Sequence, residues 1–205
     1  MKSKTGTNTV GNYRQAGAAG MLIGFGVIIN TIMENPVIGA LFFGFGLLTI
    51  VKLSIPLYTG RIGFYQDRTL VGVLIGNLIG IAVTIFLYLC ANPDFNVALE
   101  QTATIKFTKS YLQMFCCALL CGMFIHFAVK VKDSIVVIMA IAIFILIGAE
   151  HCIADFPFLL ANPTLENFIK WCLVILGNSW GAMYIELMLA KRKEESDEIC
   201  SDNSK

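Results

Sequence analysis

Six apolar stretches separated by short polar segments organise this chain: residues 16–33, 37–55, 69–91, 111–131, 134–149 and 168–190. A hydrocarbon core of ~30 Å takes roughly 20 helical residues to cross, and the first, third, fourth and sixth stretches fit that length. The second and fifth are shorter, and each gives way to an irregular segment followed by a weakly apolar piece. After the second comes Pro56-Leu57-Tyr58-Thr59-Gly60-Arg61, where proline removes a backbone donor and glycine loosens the helix. After the fifth, residues 135–149 run without a polar side chain and stop at Glu150-His151-Cys152-Ile153-Ala154-Asp155-Phe156-Pro157. Irregular backbone at membrane depth is tolerated only where protein or a water-filled cavity satisfies it. The pattern predicts an all-α membrane protein of six transmembrane helices, the second and fifth of them broken.

Composition agrees. The hydrophobic fraction is 57% and the charged fraction 14%, against about 25% charged in a soluble domain, so the chain lacks the polar residues to coat a globule in water. A net charge of +1 gives no basis for a nucleic-acid partner. The placement of lysine and arginine is more informative. With six spans and an inside N-terminus, Lys2, Lys4, Arg14, Arg61, Arg68, Lys130, Lys132, Lys191, Arg192, Lys193 and Lys205 fall inside, and only Lys106, Lys109 and Lys170 outside. Lys52 lies within the second span and is expected to snorkel to the inner interface. The positive-inside rule therefore puts both termini in the cytoplasm. The organisation predicted is a cytoplasmic N-terminal segment (1–15), a six-helix channel domain (16–190) and a polar cytoplasmic tail (191–205) that is a frayed helix end and then disorder. The N-terminus lacks a short apolar core with a cleavage site, so the first span is expected to be retained. Cysteines in or against the spans read as small buried hydrophobes.

The two halves repeat. Leu74-Ile75-Gly76-Asn77-Leu78-Ile79-Gly80 and Ile175-Leu176-Gly177-Asn178-Ser179-Trp180-Gly181 share Gly-Asn-x-x-Gly, and Gly20-Met21-Leu22-Ile23 matches Gly122-Met123-Phe124-Ile125. Three spans repeated in order have opposite membrane orientations, which predicts an inverted 3+3 repeat over about 16–91 and 110–190, with its site at the repeat interface. The glycines read as close helix packing, and Asn77 and Asn178 as interhelical hydrogen bonds. The chain has two histidines, His126 and His151, both in apolar surroundings. Intramembrane ionisable groups usually face a cavity or a transported solute. Taken together, these features predict a pore with a proton-active centre.

On these residues the chain resembles the formate/nitrite transporter family of pentameric, six-span channels with an aquaporin-like fold. The likeness spans about residues 16–190. Gly148-Ala149-Glu150-His151-Cys152-Ile153-Ala154-Asp155 is close to that family's Gly-x-Glu-His-Ser-Ile-Ala-Asn, and Leu57-Tyr58-Thr59-Gly60 is similar to its Leu-Phe-Thr-Gly. The resemblance implies a homopentamer in a prokaryotic cytoplasmic membrane. It also implies an outer constriction of Phe43, Val129 and Phe144, and an inner one of Leu47, Leu57 and Tyr58. Either Lys109 or Lys106 would supply the charge of the outer vestibule. The sequence departs from the family at His126, aligned with an asparagine near the central histidine, and at Arg61 and Asp155. These last two occupy equivalent repeat positions and are expected to pair or to cap opposing half-helices.

The mechanism this suggests rests on solvation. An anion entering an apolar slit loses tens of kcal/mol of idealised Born solvation; a neutral weak acid loses far less. Lysines would attract a small monovalent anion, and His151 would donate or relay a proton. Glu150 would hold the histidine's tautomer or exchange protons with it, Thr59 would orient substrate or proton, and His126 would add a second titratable group. Formate is the first choice of anion, with nitrite, hydrosulfide and short carboxylates open. Two rivals differ in class. A membrane metalloenzyme would use His151 and Asp155 as ligands and Glu150 as base, but the His-Glu-x-x-His run is missing. A neutral-solute channel would show no pH response. The expectation is a transporter with no cofactor and no resident metal.

Overall fold

Local capping chemistry marks where several helices start. Asn35 accepts from the Val37 and Ile38 N–H groups, with Pro36 opening the helix behind it; Asp133 accepts from Ile135 and Val136. Ser110 and Gln113 form a reciprocal capping box, satisfying donors that a helix start leaves free. The computed structural model describes residues 9–64 and 69–202. Among these the helices are α1 (Thr9–Ile32), α2 (Pro36–Leu53), α3 (Tyr58–Arg61), α4 (Thr69–Ala91), α5 (Phe95–Lys106), α6 (Tyr111–Val131), α7 (Ser134–Leu146), α8 (Phe156–Ala161) and α9 (Leu165–Asp202).

Six spans are expected; five helices, α1, α2, α4, α6 and α9, have the length and apolarity to cross a membrane, and the fifth apolar stretch forms the shorter, 13-residue α7. Three further boundaries differ from expectation. Helix α1 begins at Thr9, before residue 16; the first eight residues, with Lys2 and Lys4, lie outside those described, as do Arg68 and Lys205. Helix α5 falls where only a loop is expected. Its buried Phe95, Leu99 and Ala103, continued by Phe107, recur every fourth residue and form an apolar stripe. The backbone of α9 continues through Asp202, farther than the frayed helix end expected after residue 190. The lysines, arginine and glutamates there are good helix formers, and glycine and proline do not interrupt them.

The packing has a matched plan. Helix α1 packs on α4 and α2, α6 packs on α9 and α7, and α2 packs on α7. Close approach at the two long contacts requires glycine. A Cβ at Gly20 would overlap the Asn77 backbone carbonyl, and one at Gly122 would overlap that of Asn178. Outward side chains such as Phe42, Phe45, Phe86, Leu112 and Leu165 are exposed and apolar, as a lipid-facing or subunit-facing surface requires.

Two interruptions set up the interior. Helix α2 stops at Ser54, which is left-handed (φ 55°), and Pro56 precedes the short α3. Helix α7 gives way at Gly148, also left-handed (φ 71°), to an irregular segment that ends at α8. Buried backbone groups in such segments need partners, and the two asparagines supply them. Asn77 donates from Nδ2 to the carbonyls of Ala16 (2.8 Å) and Pro56 (3.0 Å) and accepts the Tyr58 N–H (2.9 Å). Asn178 donates to the carbonyls of Ala118 (2.9 Å) and Glu150 (2.8 Å) and accepts the Cys152 N–H (2.8 Å).

Candidate functional site

The segment after α7 is tied down on several sides. Its Ala149 N–H donates to the Phe144 carbonyl (2.9 Å), Glu150 N–H to Cys117 (3.2 Å), and the Trp171 indole to the Cys152 carbonyl (2.7 Å). His151, 2% exposed, is thereby held against α3. Its Nε2 lies 2.9 Å from Thr59 Oγ1, and its Nδ1 accepts the Ala154 N–H at 3.1 Å. An accepting Nδ1 places the proton of the neutral ring on Nε2. The imidazole therefore donates to Thr59, whose own hydroxyl hydrogen remains to be directed elsewhere. Ala154, and not Glu150, fixes the tautomer.

Glu150 does something else. Fully buried, its carboxylate binds Lys106 through Oε2 and Lys109 through Oε1 (2.5 Å). Lys109 also donates to the Gly148 carbonyl (3.2 Å), and Lys106 also binds Asp155 Oδ1 (3.0 Å). Burial disfavours the Lys106 charge, yet the Asp155 and Glu150 carboxylates outweigh it and hold the ammonium above the ordinary lysine range. Both lysines of the sequence-derived pair are thus present, where one was expected.

A cavity of about 150 Å3 runs from Lys106 and Lys109 to His151, with Phe43, Phe144, Asn30, Thr102 and Asp155 in its wall. The Phe43 and Phe144 rings meet edge to face at 6.2 Å, and Phe144 lies 6.4 Å from the His151 ring. Beyond them, the gap among Phe43, Leu47, Ile125, Ile141, Phe144 and His151 has no room for a water molecule. On the far side, a cavity of about 490 Å3 is lined by Leu57, Gly60, Val129 and Phe64, with Arg61, Lys130 and Lys132 at its rim. Lys109 precedes α6 and Lys130 ends it, so the two cavities open about 30 Å apart along its 21 residues.

Several expected placements change. Val129 lies on the far cavity beside Gly60 and Leu57; the α6 residue beside Phe43 and Phe144 is Ile125, one turn earlier. Leu47 faces that same dry gap. Tyr58 turns its hydroxyl onto Ser179 of α9 (2.9 Å), away from Leu57. His126 does not join His151: its Nε2 lies 2.8 Å from Glu186 Oε2, and its ring stacks on Phe64 at 4.6 Å. Lys130 binds the same Glu186 oxygen at 2.6 Å. No ion pair joins Arg61 to Asp155 among the described residues, because they border opposite cavities; Asp155 takes Lys106 instead. Nor does the Asp155 side chain cap α8. Lys52 reaches the Lys132 carbonyl (3.5 Å). Ile125, Asn30 and Thr102 carry no sequence signal beyond being apolar or polar within a span or loop, whereas Glu186, a carboxylate inside the sixth apolar stretch, carries the signal of an ionisable group within a span. Among the described residues no three His, Cys, Asp or Glu side chains group as a metal site would need.

Comparison places this architecture among known proteins. A solved structure titled "Pentameric formate channel with formate bound" is similar at TM-score 0.75 and 18% identity, covering 96% of this chain and 100% of its own. An "FNT family ion channel" is similar at TM-score 0.74 and 20% identity, covering 90% and 91% respectively. At these identities the likeness is one of fold. No curated protein sequence matches. The profile of the family described as "Formate/nitrite transporter" matches residues 1–191. With that match over nearly the whole chain, five membrane-length helices and the paired Thr59–His151 centre, the protein belongs to the formate/nitrite transporter family and is a multi-pass membrane transport protein.

Proposed function

We propose that this protein is a channel for a small monovalent weak-acid anion, formate first, passed with proton exchange at His151. The observation that carries the reading is the Thr59 Oγ1–His151 Nε2 contact of 2.9 Å, at the dry end of a cavity whose mouth holds Lys106 and Lys109. The lysines draw the anion in; low-dielectric walls strengthen that pull. At the Phe43–Phe144 narrowing, solvation is lost and the charged form becomes untenable. Proton traffic uses the Nε2 end, because Ala154 N–H occupies Nδ1. Thr59 passes its hydroxyl hydrogen to the anion's oxygen as it takes the Nε2 proton of His151, which a proton from water of the lysine-lined cavity replaces; the neutral acid then crosses the gap bounded by Leu47 and Ile125 and returns that proton to water on the far side. Leu57 and Val129 receive it on the far side, where Arg61, Lys130 and Lys132 favour the anion again.

The architecture in this reading is an inverted repeat of two three-helix halves, spanning about residues 16–91 and 110–190, with α2–α3 and α7–α8 as its broken second and fifth helices. The matched hydrogen bonds of Asn77 and Asn178 support it. Residues 1–15 and 191–205 are cytoplasmic, the lipid bilayer is that of a prokaryotic inner membrane, and the assembly is a homopentamer like the formate-bound neighbour.

Proteoliposomes holding the full chain, given formate, nitrite, hydrosulfide, acetate, lactate and glycerol at two external pH values, test the reading. Expected is anion uptake that rises when the supply side is acidified, with formate fastest. Glycerol flux that ignores pH, with no anion uptake, would sink it.

A further inference from the structure

Asp155 is 2% exposed, and its Oδ2 is buried without a hydrogen-bond partner. The residue lines the cavity that links the lysines to His151. Its other oxygen shares the Lys106 ammonium with Glu150, so two carboxylates meet on one cation. A fixed carboxylate on the route of an anion is a contradiction unless its charge is removable. Two carboxylates crowded in one buried place favour protonation of one of them. Glu150 is held on both oxygens by lysines, whereas Asp155 has a free oxygen. The proton therefore goes to Asp155.

We propose that Asp155 is a proton-operated charge switch for anion capture between Lys106 and Lys109. This rests on the channel reading above. With Asp155 ionised, its charge and that of Glu150 cancel the two lysines. With a proton on Oδ2, taken from cavity water, one net positive charge remains and holds a monovalent anion; loss of that proton to water lets the anion go. The groups facing Asp155 are Lys106 from α5, Lys109 after it, Glu150 and Cys152 in its own segment, Cys121 from α6, and His151 across the cavity. The cysteines are buried thiols and the histidine lies at the cavity's closed end, which leaves the carboxyl as the group that sets whether the mouth is neutral or positive.

The test is the half-saturation concentration of formate anion, separated from maximal rate, in proteoliposomes across about pH 5 to 8. In the wild type it rises with pH, by on the order of tenfold. In Asp155→Asn it stays near the wild-type acid value at every pH, while maximal rate keeps its own pH response; Asp155→Glu restores the dependence. A half-saturation that follows pH in Asp155→Asn as in the wild type overturns the switch. Should Asp155→Asn fail to assemble, or the wild type carry no formate, infrared spectra of the wild type with isotope-labelled aspartate decide. A protonated, buried carboxyl band that vanishes as pH rises supports the proposal, and its absence at all pH values overturns it. Absence of wild-type formate flux defeats the channel reading separately.

Discussion

Asn77 and Asn178 make the same three hydrogen bonds in different parts of the chain, each tying a packed helix (α1 or α6) and an interrupted segment to its own carboxamide. Both side chains are fully buried, so neither contact competes with water. The consequence is that the Thr59 and His151 segments, which carry no helical hydrogen-bond ladder at their ends, each take two backbone partners from a single carboxamide.

Asn178→Leu removes partners from the Ala118 and Glu150 carbonyls and the Cys152 N–H. Leaving buried groups unsatisfied costs about 1–3 kcal/mol each, so a drop of several kcal/mol is expected, seen as a lowered thermal midpoint of the detergent-solubilised protein. Asn77→Leu should behave alike. A midpoint unchanged in both would mean the carboxamides do not hold the segments.

Thr59→Val keeps the shape beside His151 but removes the hydroxyl. Formate flux should fall by a factor of roughly 100–10,000, the range expected when a positioned proton-handling group is lost. His151→Phe should fall further, and the double variant no further than His151→Phe alone, since the two act as a unit. Independent, multiplying losses would separate them.

Ile125 and Val129 distinguish the two registers of α6. Ile125→Trp fills the dry gap next to Phe43 and Phe144 and should abolish flux, because a close-packed site cannot absorb the extra volume. Val129→Trp enters a cavity of about 490 Å3 and should leave measurable transport. The reverse order of sensitivity would restore Val129 to the narrowing.

Lys106→Met takes the cation from Asp155 and leaves Glu150 with Lys109 alone, and breaking a buried pair costs about 3–5 kcal/mol; Lys109→Met, whose side chain is more exposed, should cost less. Because the folded Lys106 value is raised, the stability it contributes is fully present below the ordinary lysine range and is lost only as pH rises through the folded value. Thermal midpoints across the neutral range should therefore show no loss from this residue. A midpoint falling between neutral pH and the ordinary lysine value would contradict the pairing.

Much of this protein was legible in local pattern alone. The apolar stretches mark the long helices because length and composition decide what can cross a bilayer. Pro56 and the Gly148–Asp155 motif mark both interruptions because proline lacks the helix donor and Gly148 takes the left-handed backbone at which α7 gives way. Thr59 and His151 were both singled out, though 92 residues separate them. Tertiary packing decided the rest. Ile125 and Val129 are both apolar and one turn apart, so only contact with Phe43 and Phe144 tells which faces the gap. Arg61 and Asp155 are expected from the sequence to pair or to cap half-helices, yet they border opposite cavities and Asp155 pairs with Lys106 from the unanticipated α5. His126 reads like a second proton site until Glu186, 60 residues on, is folded against it. Spacing along a chain describes what each segment tolerates; which charged groups neutralise one another depends on distances that only packing sets.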